Sequence, residues 1–331
     1  MAIPDFNATL PAWAELPEAS ACTGLLMGNG ASRTLWRNFH YASLFERAQK
    51  VRNRPLAQTD LALFKALGSE SFTQALVALG ATARVNAALT ISSTAPLNRY
   101  YSIKEALIHA VRSVHIPWQQ VNPHSLAALN QALRAYRSVY SSNYDLLCHW
   151  AVWHDIEGFD DLMDPSDGFD PRRLASEATR VLYLHGGLHL VRNRDGSTRR
   201  RVASGSELLD GFAINTPGDV PLLVNEGSAD DKRRTIGQNA YLSAALQQLA
   251  THQGPLCVFG HQLGEHDAHL VHALRSSQAG HMAVSIFPLS DAWVVSQKAH
   301  YTALLGDVAQ LAFFDATTHP LGAPGLLHRR G

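Results

Sequence analysis

Four short segments of the chain carry residue types that can do chemistry, and each follows a run of apolar residues. They are Gly28-Asn29-Gly30-Ala31-Ser32, Ser142-Asn143-Tyr144-Asp145, His185-Gly186-Gly187 and Gly260-His261-Gln262. If the apolar runs are parallel strands, their carboxyl ends meet at one edge of a sheet, which is where such folds bind ligands. The sequence therefore predicts one site assembled from four distant segments.

The first segment has the glycines of a phosphate-binding turn. One glycine permits a sharp turn, and the other lets the backbone approach a pyrophosphate closely. The N–H groups that follow and the Ser32 hydroxyl are expected to donate hydrogen bonds to phosphate oxygens. The third glycine of a dinucleotide fingerprint is missing, because Arg33 stands in its place. A plain strand-to-helix turn is the alternative explanation.

Asn143, Asp145 and His185 are the candidate catalytic side chains. A neutral histidine is a natural general base near neutral pH, and the two glycines after His185 leave room for a substrate. Each has a structural alternative. The Asn-Tyr-Asp segment also fits an Asx turn that caps the next helix, and His185 also fits a simple turn.

The apolar runs alternate with helical patterns, which predicts an α/β fold with a Rossmann-like, mostly parallel sheet and helices on both faces. A hairpin is expected over residues 188–202 and one helix over 235–251. Residues 46–136 read as a helical insertion, broken at Pro117 and Pro123, within a single domain of residues 18–331. We expect it to lie over the cofactor cleft or in a subunit interface. The predicted strands are 23–27, 139–142, 181–184, 222–224, 256–259, 283–287 and 311–314.

The composition disfavours several classes of protein. The 28 basic and 28 acidic residues give a formal net charge of zero, so there is no strong signal for nucleic acid. No apolar run approaches the ~20 residues of a membrane span, and the N-terminus lacks the pattern of a signal peptide. The three isolated cysteines predict buried thiols in a reducing cytoplasm, and they are too few for a four-cysteine zinc site.

The 17 histidines raise the question of a metal site. His261, His266, His269 and His272 lie close together in the sequence. On a helix the last three would drift around the surface, and no glutamate completes an HExxH pattern. We therefore predict no metal.

Taken together and in this order, the four segments resemble the sirtuin superfamily, and more closely the bacterial sirtuin-like NAD-hydrolysing domains of antiphage defence. The resemblance extends from about Gly24 to Ala316. Residues 28–32 match the glycine-rich phosphate loop of that family. Asn143 and Asp145 match its Asn-x-Asp element, and His185-Gly186 matches its His-Gly element. Gly260, His261 and Gln262 stand where the family has a Gly-x-Ser loop that touches the cofactor. Residues 39–45 resemble an uncharacterised stand-alone bacterial branch.

The resemblance implies a cytoplasmic NAD glycohydrolase that acts in antiphage defence, with NAD as substrate and ADP-ribose and nicotinamide as products. Asn143 would bind the nicotinamide ribose and position a water, and Asp145 would orient the ribose or the carboxamide pocket. His185 would accept a proton through the ribose hydroxyls. The missing zinc ribbon and Gln262 in place of serine disfavour protein deacylation.

Two other functions use the same segments. The chain could be a sensor or scaffold that binds NAD or ADP-ribose without turnover, or an ADP-ribosyl transferase. The family analogy also implies a homo-oligomer or a regulatory partner protein.

The cysteine count and the histidine pattern lead to the first testable prediction, that NAD cleavage needs no metal. Prolonged treatment with a chelator, followed by buffer exchange, should leave both the circular dichroism spectrum and the NAD turnover unchanged. Loss of the fold or of turnover after chelation, with recovery on adding zinc, would contradict it.

Overall fold

A computed structural model of the chain describes residues 6–36, 44–52, 54–193, 195–201, 208, 220–224 and 228–326. Most of residues 39–45, which carry part of the resemblance, lie outside these ranges. The described residues contain ten strands: β1 (Gly24–Met27), β2 (Ser138–Ser141), β3 (Phe159–Asp160), β4 (Thr179–Tyr183), β5 (Gly186–Arg192), β6 (Thr198–Arg200), β7 (Val220–Leu223), β8 (Leu256–Phe259), β9 (His281–Ile286) and β10 (Gln310–Asp315).

Helices connect most of these strands. In the described ranges they are α1 (Asn29–Leu35), α2 (Leu44–Lys50), α3 (Gln58–Leu67), α4 (Phe72–Ala88), α5 (Thr94–Val114), α6 (Pro123–Leu133), α7 (Leu147–His154), α8 (Ala229–Gly237), α9 (Ala240–Ala250), α10 (Ala268–Ser276) and α11 (Asp291–Leu305). None of them combines the length and the apolar character that crossing a bilayer requires.

The main sheet has seven parallel strands in the order β10-β9-β8-β1-β2-β4-β3. Without the short edge strand β3, this is the doubly wound order of a Rossmann fold. The chain builds β1, β2 and β4 outward in one direction and then returns to the other side of β1 for β8, β9 and β10. Ligands of such sheets bind where the direction reverses, here between β1 and β8. The predicted α/β, Rossmann-like fold is confirmed.

Burial on both faces explains why the central strands are apolar. Every residue of β1, β2 and β8 is buried, as expected for parallel strands covered by helices. The strands predicted from the sequence all occur, with ends displaced by no more than two residues. The predicted helix over 235–251 is wrong, because the chain forms α8 and α9 instead. Asn239 separates them by accepting the Leu242 N–H at 3.0 Å as the N-cap of α9.

The predicted helical insertion divides between two cores. Helices α2 to α5 form a second apolar core around Phe64, Phe72 and Ile103, which also takes in Tyr144 and residues of β5 and β7 from the small antiparallel sheet β6-β5-β7. The Thr73 hydroxyl ties α4 to that sheet by donating to the Leu223 carbonyl at 2.7 Å. Helix α6 packs instead in the main core. Helices α2 to α5 therefore adjoin the segment that follows β2, where Asn143 lies.

Both cores and the main-sheet edge bury uncharged histidines. Eight histidines of the described residues are buried, and burial is the largest cause of a lowered pKa in each: His115, His149, His185, His189, His252, His261, His269 and His319. The pKa is about 4 for His252. A folded pKa below the unfolded value means that the unfolded chain binds more protons, so stability is full above about pH 6.5 and falls as the pH drops toward 4.

We therefore predict an acid-sensitive fold. When the pH falls from about 7.5 to about 5.5, each histidine with a folded pKa near 4 should lower the unfolding free energy by about 1 kcal/mol. The buried histidines together should lower it by several times that amount. Urea unfolding followed by circular dichroism measures this directly. The variant His252→Gln, which cannot ionise, should lose about 1 kcal/mol less over the same interval. Unchanged or greater stability at the lower pH would contradict the prediction.

Candidate functional site

The turns that follow β1 and β8 close against each other. The Gly28 N–H donates to the Phe259 carbonyl at 2.9 Å, and the Gly30 N–H donates to the Gly260 carbonyl at 2.7 Å. A methyl group on Gly30 would lie 2.6 Å from the Gly260 Cα, and Gly260 itself has a φ of +64°. These glycines are therefore required by the contact between the turns. The Gly30 N–H is engaged with protein rather than open to a phosphate.

The turn after β1 also fixes the side chain of Asn143. The Asn143 Nδ2 group donates to the Gly28 carbonyl at 3.0 Å and to the Ser32 hydroxyl oxygen at 2.9 Å, which uses both of its hydrogens. The opposite orientation of the amide would set two oxygens against each other at Gly28. The orientation of this amide is thus determined by the backbone of the neighbouring strand.

The other end of this amide is an acceptor without a donor. Asn143 is 1% exposed, and its Oδ1 is buried with no hydrogen-bond partner among the described residues. A buried polar atom left unpaired costs roughly 1–3 kcal/mol. A hydroxyl or N–H of a ligand, or a water, placed at this oxygen would offset that cost.

Asp145 completes a chain of hydrogen bonds that begins at Asn143. The Ser32 hydroxyl donates to Asp145 Oδ2 at 2.6 Å, and the Leu147 N–H donates to Oδ1 at 2.9 Å. Burial raises the pKa of the Asp145 carboxyl, while these two hydrogen bonds act in the opposite direction. The bond to Leu147 is an Asx turn that starts α7, so Asp145 has a structural role as well as a place in the site.

His185 lies just past the end of β4 and pairs with a histidine of α10. Its Nε2 is 2.7 Å from the Nε2 of His269, so one ring donates a hydrogen bond to the other. Burial lowers the pKa of His185 well below its usual value, and His269 and Lys232 act in the same direction. Burial followed by Lys232 lowers the pKa of His269 to about 4. Both rings are neutral at physiological pH.

A partly buried ion pair lies beside these two rings. Lys232 on α8 donates from Nζ to Asp267 Oδ1 at 3.0 Å, with side chains 8% and 22% exposed. Burial alone would raise the pKa of Asp267, but His261, His185 and Lys232 together lower it to about 2. The edge of the sheet therefore holds a fixed negative charge and a fixed positive charge next to two neutral imidazoles.

The remaining predicted residues are distributed around this edge. Ala31 is buried on α1, and Asn29 begins that helix. His261 is buried, with Nδ1 accepting the Leu263 N–H at 3.0 Å, whereas the Gln262 side chain is exposed.

Gly186 has a φ of +72°, and a methyl group there would lie 1.9 Å from the Leu222 carbonyl oxygen. That glycine is therefore required by the pairing of β5 with β7.

Three residues of the site were missed or misjudged from the sequence. The sequence groups His269 with His261, His266 and His272, and nothing local indicates that it meets His185, 84 positions earlier. Lys232 and Asp267 belong to ordinary polar stretches of the sequence. A tertiary contact alone reveals them.

The hydrogen bonds around Ser32 support a prediction about stability. Removing its hydroxyl in Ser32→Ala leaves an Asn143 N–H and an Asp145 oxygen unpaired in the interior, which should cost about 2 kcal/mol of unfolding free energy. The matched control is Ser142→Ala, because the Ser142 hydroxyl donates a single hydrogen bond within the described residues, to the Met27 carbonyl at 3.2 Å. That change should cost about half as much. If urea unfolding shows the same loss of unfolding free energy for both variants, the chain of hydrogen bonds from Asn143 through Ser32 to Asp145 is contradicted.

A protein-family model, described as a domain of unknown function (DUF4917), matches residues 25–321. The match begins within β1 and ends after β10, so it contains all four polar segments and the two turns that meet at Gly30 and Gly260. No curated protein matches the chain at a significant level. The chain belongs to the DUF4917 family.

Proposed function

We propose that the chain binds NAD at the carboxyl ends of β1, β2, β4 and β8 and hydrolyses its N-glycosidic bond, releasing nicotinamide and ADP-ribose. One observation carries the proposal. The unpaired Asn143 Oδ1 is a fixed acceptor at the strand edge where Rossmann-like sheets bind dinucleotides.

A ribose hydroxyl is the kind of donor that this oxygen lacks. Both hydrogens of the Asn143 amide are committed to Gly28 and Ser32, so a ligand at Oδ1 must donate rather than accept. The amide cannot rotate away without breaking those bonds. In this proposal Ser32 orients Asn143 instead of binding phosphate, which differs from the role expected from the sequence.

Asn143 and His185 occupy equivalent places on neighbouring strands. The register pairs Ser141 of β2 with Tyr183 of β4, and each candidate residue comes two positions later in the chain. Adjacent strands lie about 4.8 Å apart, so one ribose can span the two positions. As nicotinamide leaves, a neutral His185 would accept, through the ribose hydroxyls, the proton that the attacking water releases. Asn143 would hold the ribose while a water attacks the oxocarbenium-like carbon.

The charges at the edge suit an anionic dinucleotide with a cationic ring. Lys232 brings a positive charge to the His185 cluster, and Asp145 and Asp267 bring carboxyl groups. Asp145 and Lys232 are buried, and their limited contact with bulk water strengthens their interactions with a bound substrate. In keeping with the sirtuin-like resemblance, we extend the proposal to a cytoplasmic antiphage effector controlled by self-association or by a regulatory partner protein.

One observation favours a second candidate, a sensor that binds NAD or ADP-ribose without turnover. The lowered pKa of His185 makes its ring a weaker proton acceptor than a free imidazole. General-base catalysis is most effective when that pKa lies near the working pH. A sensor would use the same acceptor at Asn143 but would not need a base.

Substitutions at the two strand ends separate the enzyme from the sensor. Asn143→Ala and His185→Ala should bind NAD within a few-fold of wild type but cleave it at least ~100-fold more slowly, the usual scale of losing a general base. NAD binding is measured by calorimetry, and the products are separated by chromatography. The control Asn122→Ala removes the N-cap of α6, where Asn122 accepts the His124 N–H at 3.0 Å. It should lower the melting temperature and leave the turnover of folded protein intact.

The products decide between the candidate functions. Free ADP-ribose and nicotinamide from wild type support hydrolysis, bound NAD without loss supports the sensor, and a labelled macromolecule supports ADP-ribosyl transfer. Wild-type turnover that persists in folded Asn143→Ala and His185→Ala would contradict the proposed mechanism.

A further inference from the structure

The fold brings together two histidines and an aspartate from different elements. His185 follows β4, Asp267 ends the short turn before α10, and His269 lies in the first turn of α10. One possible ligand atom from each lies within 4.8 Å of the other two. In the part of the chain that the structure describes, no other group of three or more His, Cys, Asp or Glu side chains meets this criterion.

We propose that His185, Asp267 and His269 bind a divalent transition metal of the zinc class, and that the bound ion removes His185 from its role as proton acceptor. The metal site stands independently of NAD chemistry. Its inhibitory effect rests on the proposed function. The site departs from the expectation that the chain binds no metal. The metal-free chain is the active form, so cleavage itself still needs no metal.

The donor set suits such an ion. Two imidazole nitrogens and one carboxylate oxygen are common zinc ligands, and three protein ligands leave a fourth tetrahedral position for water. Nitrogens bound at ~2.0–2.1 Å with tetrahedral angles are about 3.3 Å apart. The Nε2 atoms of His185 and His269 are 2.7 Å apart in their hydrogen bond. The two rings must therefore separate by roughly 0.6 Å to admit the ion.

An ion can reach the cluster from the surface. The Asp267 side chain is 22% exposed, and Glu265 and His266 beside it are exposed. Asp267 thus forms the outer wall, whereas His269 at 2% exposed and His185 at 5% form the inner wall.

The positive charge of Lys232 competes with the metal for the Asp267 carboxylate, so a change at Lys232 tests the site. Its Nζ lies 3.0 Å from Asp267 Oδ1, so it shares the carboxylate that the ion would use. Two positive charges on one carboxylate repel each other strongly in a poorly solvated site. Lys232→Met keeps an apolar stem of similar length and removes the charge. This variant should therefore bind zinc more tightly than wild type.

The test titrates Zn²⁺ by calorimetry and Co²⁺ by visible absorption into the full chain, after chelator treatment and without NAD. Wild type should bind one equivalent. His269→Ala and Asp267→Asn should each lose more than ~10-fold in affinity, since removing even a residue that only hydrogen-bonds to a metal ligand costs that much. His266→Ala and His272→Ala are matched controls, because both histidines are exposed on the same stretch of chain. They should bind as wild type does, and Lys232→Met should bind ~10-fold more tightly or better.

Several results would overturn the site. The first is that wild type shows no saturable zinc binding. The second is that folded His269→Ala or Asp267→Asn binds zinc with the affinity of wild type. The third is that Lys232→Met binds zinc no more tightly than wild type does. The last variant keeps the test decisive if a ligand variant fails to fold. Zinc should also raise the melting temperature of wild type but not of His269→Ala.

NAD turnover then separates the two proposals. If the chain binds zinc through these residues but never cleaves NAD, the proposed metal site stands and the proposed function is wrong. In a chain that cleaves NAD, saturating Zn²⁺ should reduce turnover at least ~10-fold, with recovery on chelation. Full turnover with zinc bound would overturn the claim that the ion and the mechanism share His185.

Discussion

The hydrogen bond from the Gly30 N–H to the Gly260 carbonyl joins the two turns at the point where the sheet reverses direction. Neither glycine has room for a methyl group, so the two backbones touch. This contact sets the position of the Gly28 carbonyl, which in turn orients the amide of Asn143. The orientation extends through Ser32 to Asp145. A backbone contact between β1 and β8 thereby determines which atom of Asn143 is left for a ligand.

The segment after β2 connects the site to the second core. Tyr144 packs among the apolar residues of α2 to α5, while its neighbours Asn143 and Asp145 bond to the turn after β1. The Leu146 N–H also donates to His115 Nε2 at 3.0 Å, just after α5 ends. Because one short segment belongs to both parts, helices α2 to α5 are directly coupled to the polar edge.

The sequence predicted the sheet and the four polar segments because local patterns carry that information. Short apolar runs that end in glycine or polar residues identify β1, β2, β4 and β8, and their carboxyl ends share an edge in any parallel sheet. The sequence could not predict that Gly30 meets Gly260, that Ser32 bonds to Asp145, or that His269 meets His185. Each of these contacts joins residues that are at least 84 positions apart, so no local pattern records them. The break between α8 and α9 was also missed, because the cap at Asn239 interrupts a continuous apolar periodicity.

The central claim is that the unpaired oxygen of Asn143 accepts a hydrogen bond from a ribose at the switch between β1 and β8. A crystal structure of the chain with ADP-ribose, which the proposed reaction cannot cleave further, tests it most directly. The account predicts electron density for the ligand at the ends of these strands, with a ribose hydroxyl within about 3.2 Å of Asn143 Oδ1. Density for ADP-ribose elsewhere on the chain, with a water or nothing at Asn143, would contradict it.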